Sequence, residues 1–209
     1  MALFFFQRVI LSIFVAMAFN GLIQASDPDI LFDYLVPPNM TKKVDGNFFT
    51  YTKIRGFFDK LHPTDPASMQ ASMAEFPALN GQSVSLSVLR LPPGGVSAPH
   101  MRTHATGLFL VLEGRFEVGL VDTTNKLYTQ TLQTGDMFIF PKGLVHYQYN
   151  ADMNNPAVGV AAFGSASTAL VSVPATLFKP DIEDDVLAKS FKTDEATIRK
   201  LKSHLRRKL

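Results

Sequence analysis

The chain of 209 residues contains no cysteine, so disulfide bonds and thiol nucleophiles are excluded from the start. It has no Gly-x-Ser-x-Gly elbow and no glycine-rich phosphate-binding loop, which removes two common routes to hydrolysis and nucleotide chemistry. Charge of one sign is also missing: 20 Lys+Arg stand against 18 Asp+Glu, a net +2, too little to argue for a nucleic-acid partner. Beyond the N-terminus no apolar run approaches the roughly 20 residues of a spanning helix, so a multipass membrane protein is excluded. What is present is apolar and aromatic. Hydrophobic residues make up 46% of the chain and 18 are Phe, enough for a real core and against general disorder. Thirteen Gly and thirteen Pro among many β-branched and aromatic residues favour an all-β domain with tight turns.

Residues 1–25 read as a signal peptide. Arg8 supplies the positive charge, Val9 to Phe19 the short apolar core, and Ala25 the small residue before a cleavage point near Ser26. A secreted chain without disulfides must be held by its core, by oligomerisation or by a metal. Asn39-Met40-Thr41 is a glycosylation sequon, and Pro37-Pro38 before it suggests an exposed turn.

The mature chain divides into three stretches: an N-terminal extension over 26–80, a β-barrel core over 81–178 and C-terminal helices over 179–209. In the core, Val84, Leu86 and Val88 alternate on one face of a strand. Leu108 to Leu112 is a continuous apolar run, expected to be a strand buried on both sides, and Phe116, Val118 and Leu120 form the next inward row. Further strands are expected at Lys126–Leu132, Met137–Phe140 and Ala157–Phe163, a spacing typical of sandwiches and barrels. In the last stretch a helix is expected within Asp181–Phe191. A second is expected to be capped by Thr193, with Ile198, Leu201 and Leu205 on its packed face. The cations Arg199, Lys200, Lys202, Arg206, Arg207 and Lys208 suit a helix C-terminus or, alternatively, attraction to an acidic cell-wall polysaccharide.

Two segments concentrate unusual residues. One runs from Gly94-Gly95-Val96-Ser97-Ala98-Pro99-His100 to Gly114, and the other is Gly135-Asp136 through Phe140-Pro141-Lys142-Gly143-Leu144-Val145-His146. Together with Ser26-Asp27-Pro28-Asp29 and the tail from Lys179-Pro180 to Leu187, they resemble the plant germin-like proteins of the cupin superfamily across essentially the whole mature chain. That resemblance implies a single cupin jelly-roll β-barrel with a short C-terminal helical extension. It also implies one manganese, homo-oligomers from dimer to hexamer, and secretion to the extracellular space, the apoplast. An N-terminal disulfide usual in the family has no counterpart around Asp33-Tyr34-Leu35-Val36.

In the family the metal is held by three His and one Glu. His100 and His146 keep the first and last of these positions, whereas Arg102 stands in place of the second His and Gly107 in place of Glu. His104 is the nearest substitute, but four residues along an extended strand is about 13 Å, out of reach without a bulge. Manganese favours oxygen-rich six-coordination, and a guanidinium would repel it, so weak or no binding is expected at His100 and His146. Two readings remain open: a decayed site without ligand, or a small-anion site around Arg102, with His104 as a further candidate. The functional classes are correspondingly two. One is a non-enzymatic extracellular binding, storage or cell-wall protein. The other is a manganese-dependent oxidoreductase of oxalate oxidase or superoxide dismutase type.

Overall fold

The computed structural model describes residues 27, 30–41, 43–58 and 66–206. The expected signal peptide and the cations Arg207 and Lys208 lie outside the described residues. A short helix α1 (Arg55–Phe58) precedes strands β1 (Ala67–Ala71), β2 (Ser85–Leu91), β3 (Val96–Arg102), β4 (Gly107–Glu113) and β5 (Arg115–Val121). Strands β6 (Leu127–Gln133), β7 (Met137–Phe140), β8 (Val145–Tyr149), β9 (Ala157–Phe163) and β10 (Leu170–Ser172) follow. Helices α2 (Val173–Phe178), α3 (Asp184–Phe191) and α4 (Glu195–Arg206) close the chain.

The strands form two five-stranded antiparallel sheets, ordered β1-β2-β9-β4-β7 and β10-β3-β8-β5-β6. Their inner faces enclose Leu91, Phe109, Val111, Phe116, Val118, Leu132, Phe140 and Ala157. This is the cupin jelly roll expected from the sequence, and β6, β7 and β9 fall within a residue of their expected bounds. Glycine supplies several tight fits, among them those at Gly114 and Gly159. Gly114 turns β4 into β5 at φ +75°, where a Cβ would stand 2.7 Å from the Pro156 carbonyl oxygen. Gly159 on β9 faces the Phe109 ring so closely that any Cβ would overlap it. Gly159→Ala is therefore expected to destabilise the fold by about 1–3 kcal/mol through overpacking, read as a lower urea midpoint at unchanged slope; an unchanged midpoint would contradict it.

The expectations for β4 and for the tail need correction. Strand β4 is not buried on both sides: Phe109 and Val111 enter the core while Leu108 and Leu112 remain 46% and 42% exposed. At β4 and β7 the outer face of the sheet is uncovered in the single chain, and an all-apolar strand carries no periodicity to reveal that. On β2 the row Leu86–Val88 packs outside the barrel against Phe57 and Ile54, whereas Ser87 and Leu89 line a cavity within it. In the tail, Asp194 rather than Thr193 caps α4. Its Oδ1 accepts from the Thr197 N–H at 2.9 Å and its Oδ2 from the Thr197 hydroxyl at 2.9 Å.

The packed face of α4 runs through Ile198, Lys202 and Leu205, and Leu201 points outward. Lys202 buries its stem and donates from Nζ to Asp184 Oδ1 at 2.7 Å and to the Ile182 carbonyl. Arg199 pairs with Glu195 and Asp184. Two cations of the basic run are thus engaged inside the tail.

Strand β1 was not foreseen: Ala-Ser-Met-Gln-Ala alternates apolar with polar residues but contains no β-branched or aromatic side chain to mark it as a strand. It pairs with β2 and places Gln70 opposite Ser87.

Candidate functional site

The site begins with a break in β-pairing. Ser97 lies opposite Gln148 and His100 opposite His146, so three steps along β3 match two along β8. The extra residue is a bulge at Ala98-Pro99, where a proline without N–H does no harm to the ladder. The bulge shifts the alternation of β3, and Ser97, His100 and Arg102 all line one cavity of about 220 Å³. On β8 the regular alternation does the same for His146 and Gln148.

Each imidazole is oriented by its own backbone. His100 Nδ1 donates to the Ala98 carbonyl at 2.8 Å and His146 Nδ1 to the Leu144 carbonyl at 2.9 Å. A carbonyl only accepts, so Nδ1 carries the proton in both rings and Nε2 is the bare acceptor. The rings lie 4.3 Å apart between centroids, and His146 stacks on Phe140 at 4.2 Å and 17°. Burial pushes the His146 pKa down to about 4, with the neighbouring His100 and Arg102 adding to it. His100 is also lowered, chiefly by burial. Both rings are neutral at neutral pH.

Arg102 reaches the far side of the cavity. Its Nη1 donates to Thr168 Oγ1 at 2.6 Å and to Gln70 Oε1 at 3.3 Å, and Gln70 Nε2 donates to the same Thr168 oxygen at 3.1 Å. The guanidinium lies over the Phe163 ring, 4.7 Å from its centroid. Desolvation lowers its pKa to about 10, so it remains a cation at neutral pH. The loop bearing Thr168 is fixed by Asp27, whose carboxylate accepts from Ser165 Oγ and from the Ala166 N–H, each at 2.6 Å.

Gly107 belongs to this arrangement through absence of a side chain. A Cβ there would stand 2.9 Å from Phe163 Cε1, so glycine at 107 makes room for the ring on which Arg102 lies. Arg102, Phe163 and Gly107 are thus one packing unit.

The structure brings together His100, Arg102 and His146, and leaves His104 out. His104 is exposed in the bend after β3 and does not line the cavity, because the bulge precedes His100 instead of following it. It is therefore corrected as an anion-site candidate. Asn150, just past β8 and in phase with its inward row, is a structural clamp: its Nδ2 donates to the carbonyls of Leu91, Pro92 and Asn155. Gln148 differs. It is only 5% exposed, and its Oε1 is a buried acceptor with no donor among the described residues. Gln70, Thr168 and Phe163 were missed by sequence reasoning; only Phe163, at the end of an expected strand, carried any signal. Asn39 is exposed in the turn closed by the Met40 N–H on the Pro37 carbonyl, as its sequon suggested.

Known proteins share this fold. The cupin family profile matches residues 66–199. Germin-like protein 9-3 of Oryza sativa subsp. japonica is 51% identical over 191 residues, 88% of this chain and 89% of its own. Germin-like protein subfamily 2 member 4 of Arabidopsis thaliana is 35% identical over 205 residues, 91% of this chain and 93% of its own. Among solved structures, an oxalate oxidase in complex with the substrate analogue glycolate superposes with a TM-score of 0.77 at 30% identity, covering 88% of this chain and 100% of that one. With a barrel that matches theirs and sequence likeness extending over nearly its whole length, this chain belongs to the cupin family, among the germin-like proteins.

Proposed function

We propose that this chain is a secreted germin-like protein whose barrel cavity binds a small ligand without redox chemistry, in place of the family's manganese centre. The observation that carries this reading is Arg102, held over Phe163 in the room left by Gly107. A manganese ion would find two neutral imidazole nitrogens and the Gln148 amide oxygen among the lining side chains, but no carboxylate. Among the described residues no group of three or more His, Asp or Glu could hold a metal. A hard divalent cation favours anionic oxygen ligands, and the buried guanidinium opposes it at close range. These residues do not fit the ion. The manganese oxidoreductase reading retains one favourable feature, the bare Nε2 atoms of His100 and His146.

Secretion rests on the signal-peptide pattern of residues 1–25, and glycosylation on exposed Asn39. No helix among the described residues is long and apolar enough to cross a membrane. A homo-oligomer is supported by exposed apolar side chains on the outer sheet face, Leu108, Leu112, Met137 and Ile139, and on the tail helices, Val186, Phe191 and Leu201. The deciding experiment is elemental analysis of the secreted protein after dialysis. Manganese well below one per protomer is expected, and a value near one overturns the reading. Intact mass and sedimentation on the same preparation check cleavage near Ser26, the glycan and the oligomer.

A further inference from the structure

We propose that the cavity selects a small organic monocarboxylate carrying an O–H or N–H group next to the carboxylate, with the anion on Arg102 and the donor on Nε2 of His100 or His146. This rests on the binding reading above and assigns the chemical class of the ligand.

The argument is a match of donors, acceptors and charge. Arg102 brings one positive charge into the cavity and has no carboxylate partner among the described residues. Its Nη1 is occupied by Thr168 and Gln70, while Nη2 and Nε have no partner among the described residues. These two nitrogens form the side of a guanidinium suited to two parallel bonds with a carboxylate. One charge calls for a monoanion; a dianion would leave a negative charge without a counterpart in a half-enclosed space.

The two imidazoles on the wall present bare acceptors, whereas the hydroxyls of Ser68, Ser87, Ser97 and Ser172 can donate or accept. Among the described residues, His100 Nε2 and His146 Nε2 are bare because Nδ1 of each ring is committed to a carbonyl, and Gln148 Oε1 is buried without a donor. A ligand made only of acceptors, such as oxalate, sets its lone pairs against theirs. One that also offers a donor pairs them, and a site built to accept a hydrogen bond rejects the analogue that lacks it. The remaining wall is apolar, with Phe109, Phe140, Leu89 and Leu170, which suits an organic body over a bare inorganic anion.

The test is calorimetry on the mature secreted protein at pH 7 with three probes of graded chemistry. Mandelate has a carboxylate, a neighbouring hydroxyl and an apolar ring; phenylacetate lacks the hydroxyl; oxalate has two carboxylates and no donor. Mandelate is expected to bind at least about tenfold more tightly than either. Arg102→Met, which keeps an unbranched stem over Phe163, should weaken mandelate binding by about tenfold or more with little change in melting temperature. Phenylacetate or oxalate binding as well as mandelate would overturn the donor assignment, and that ranking is read on the unaltered protein, whatever the variant's stability. Failure of all three probes on protein shown to be free of manganese would overturn the ligand class while leaving the binding reading in place. Stoichiometric manganese in the same sample would instead sink that earlier reading.

Discussion

Acidification from pH 7 to pH 4 is expected to remove about 3 kcal/mol of folding stability through His146 alone, a large share of what holds a domain of this size. The sign follows from where the proton goes. His146 has a folded-state pKa of about 4 against 6.5 for the free side chain. Between those values the unfolded chain binds the proton and the folded chain does not. The stability is therefore complete above pH 6.5, falls as pH drops toward 4, and levels off below. His100, lowered for the same reason, steepens the fall within this window. Exposed carboxylates titrate in part of this range too, so the check is comparative. Urea unfolding at pH 7, 5.5 and 4 should give a markedly flatter profile for His146→Phe, whose ring can stack on Phe140 as the imidazole does. Parallel profiles for the two proteins would refute the assignment.

Rebuilding the metal ligands that the family resemblance implies is the second large effect, and the packing dictates how it must be done. Arg102→His with Gly107→Glu supplies the missing donors on paper, yet a Cβ at 107 collides with Phe163. The double variant is expected to lose about 1–3 kcal/mol of stability, with little gain in manganese affinity. Adding Phe163→Val opens the space, and the triple variant should bind manganese about a hundredfold more tightly than the unaltered protein. Manganese titration followed by electron paramagnetic resonance, alongside a melting curve, reads both quantities. A folded triple variant that binds no better would mean that more than these three positions separates this barrel from a metal centre.

How far the sequence alone reached can be judged residue by residue. Strands β5, β6, β7 and β9 were legible because alternation or turn residues bound them on both sides. His100, Arg102, Gly107 and His146 were legible through the resemblance, and the cavity unites the three that carry reactive side chains. Gln70 and Thr168 were not, since what makes them partners of Arg102 is contact between segments 98 residues apart, which no local pattern encodes. Which face of β2 turns inward was not legible, for a physical reason. A cavity that holds polar chemistry draws serines inward, and the apolar row finds its cover in the N-terminal segment instead. The outward leucines of β4 misled for the converse reason, an apolar surface left open in the single chain.

The bulge at Ala98-Pro99 makes the site depend on length as well as identity. Ahead of it β3 points inward at Ser97, and beyond it at His100 and Arg102, so the strand's two halves run in opposite phase. Substitutions change one side chain at a time and leave that phase untouched. Loss of one codon at the bulge would reset it, turning His100 and Arg102 together to the outer surface and Met101 inward. The chemistry of the pocket is thus guarded by a count of residues, and an insertion or deletion there would rewrite it in one event while sparing the rest of the barrel.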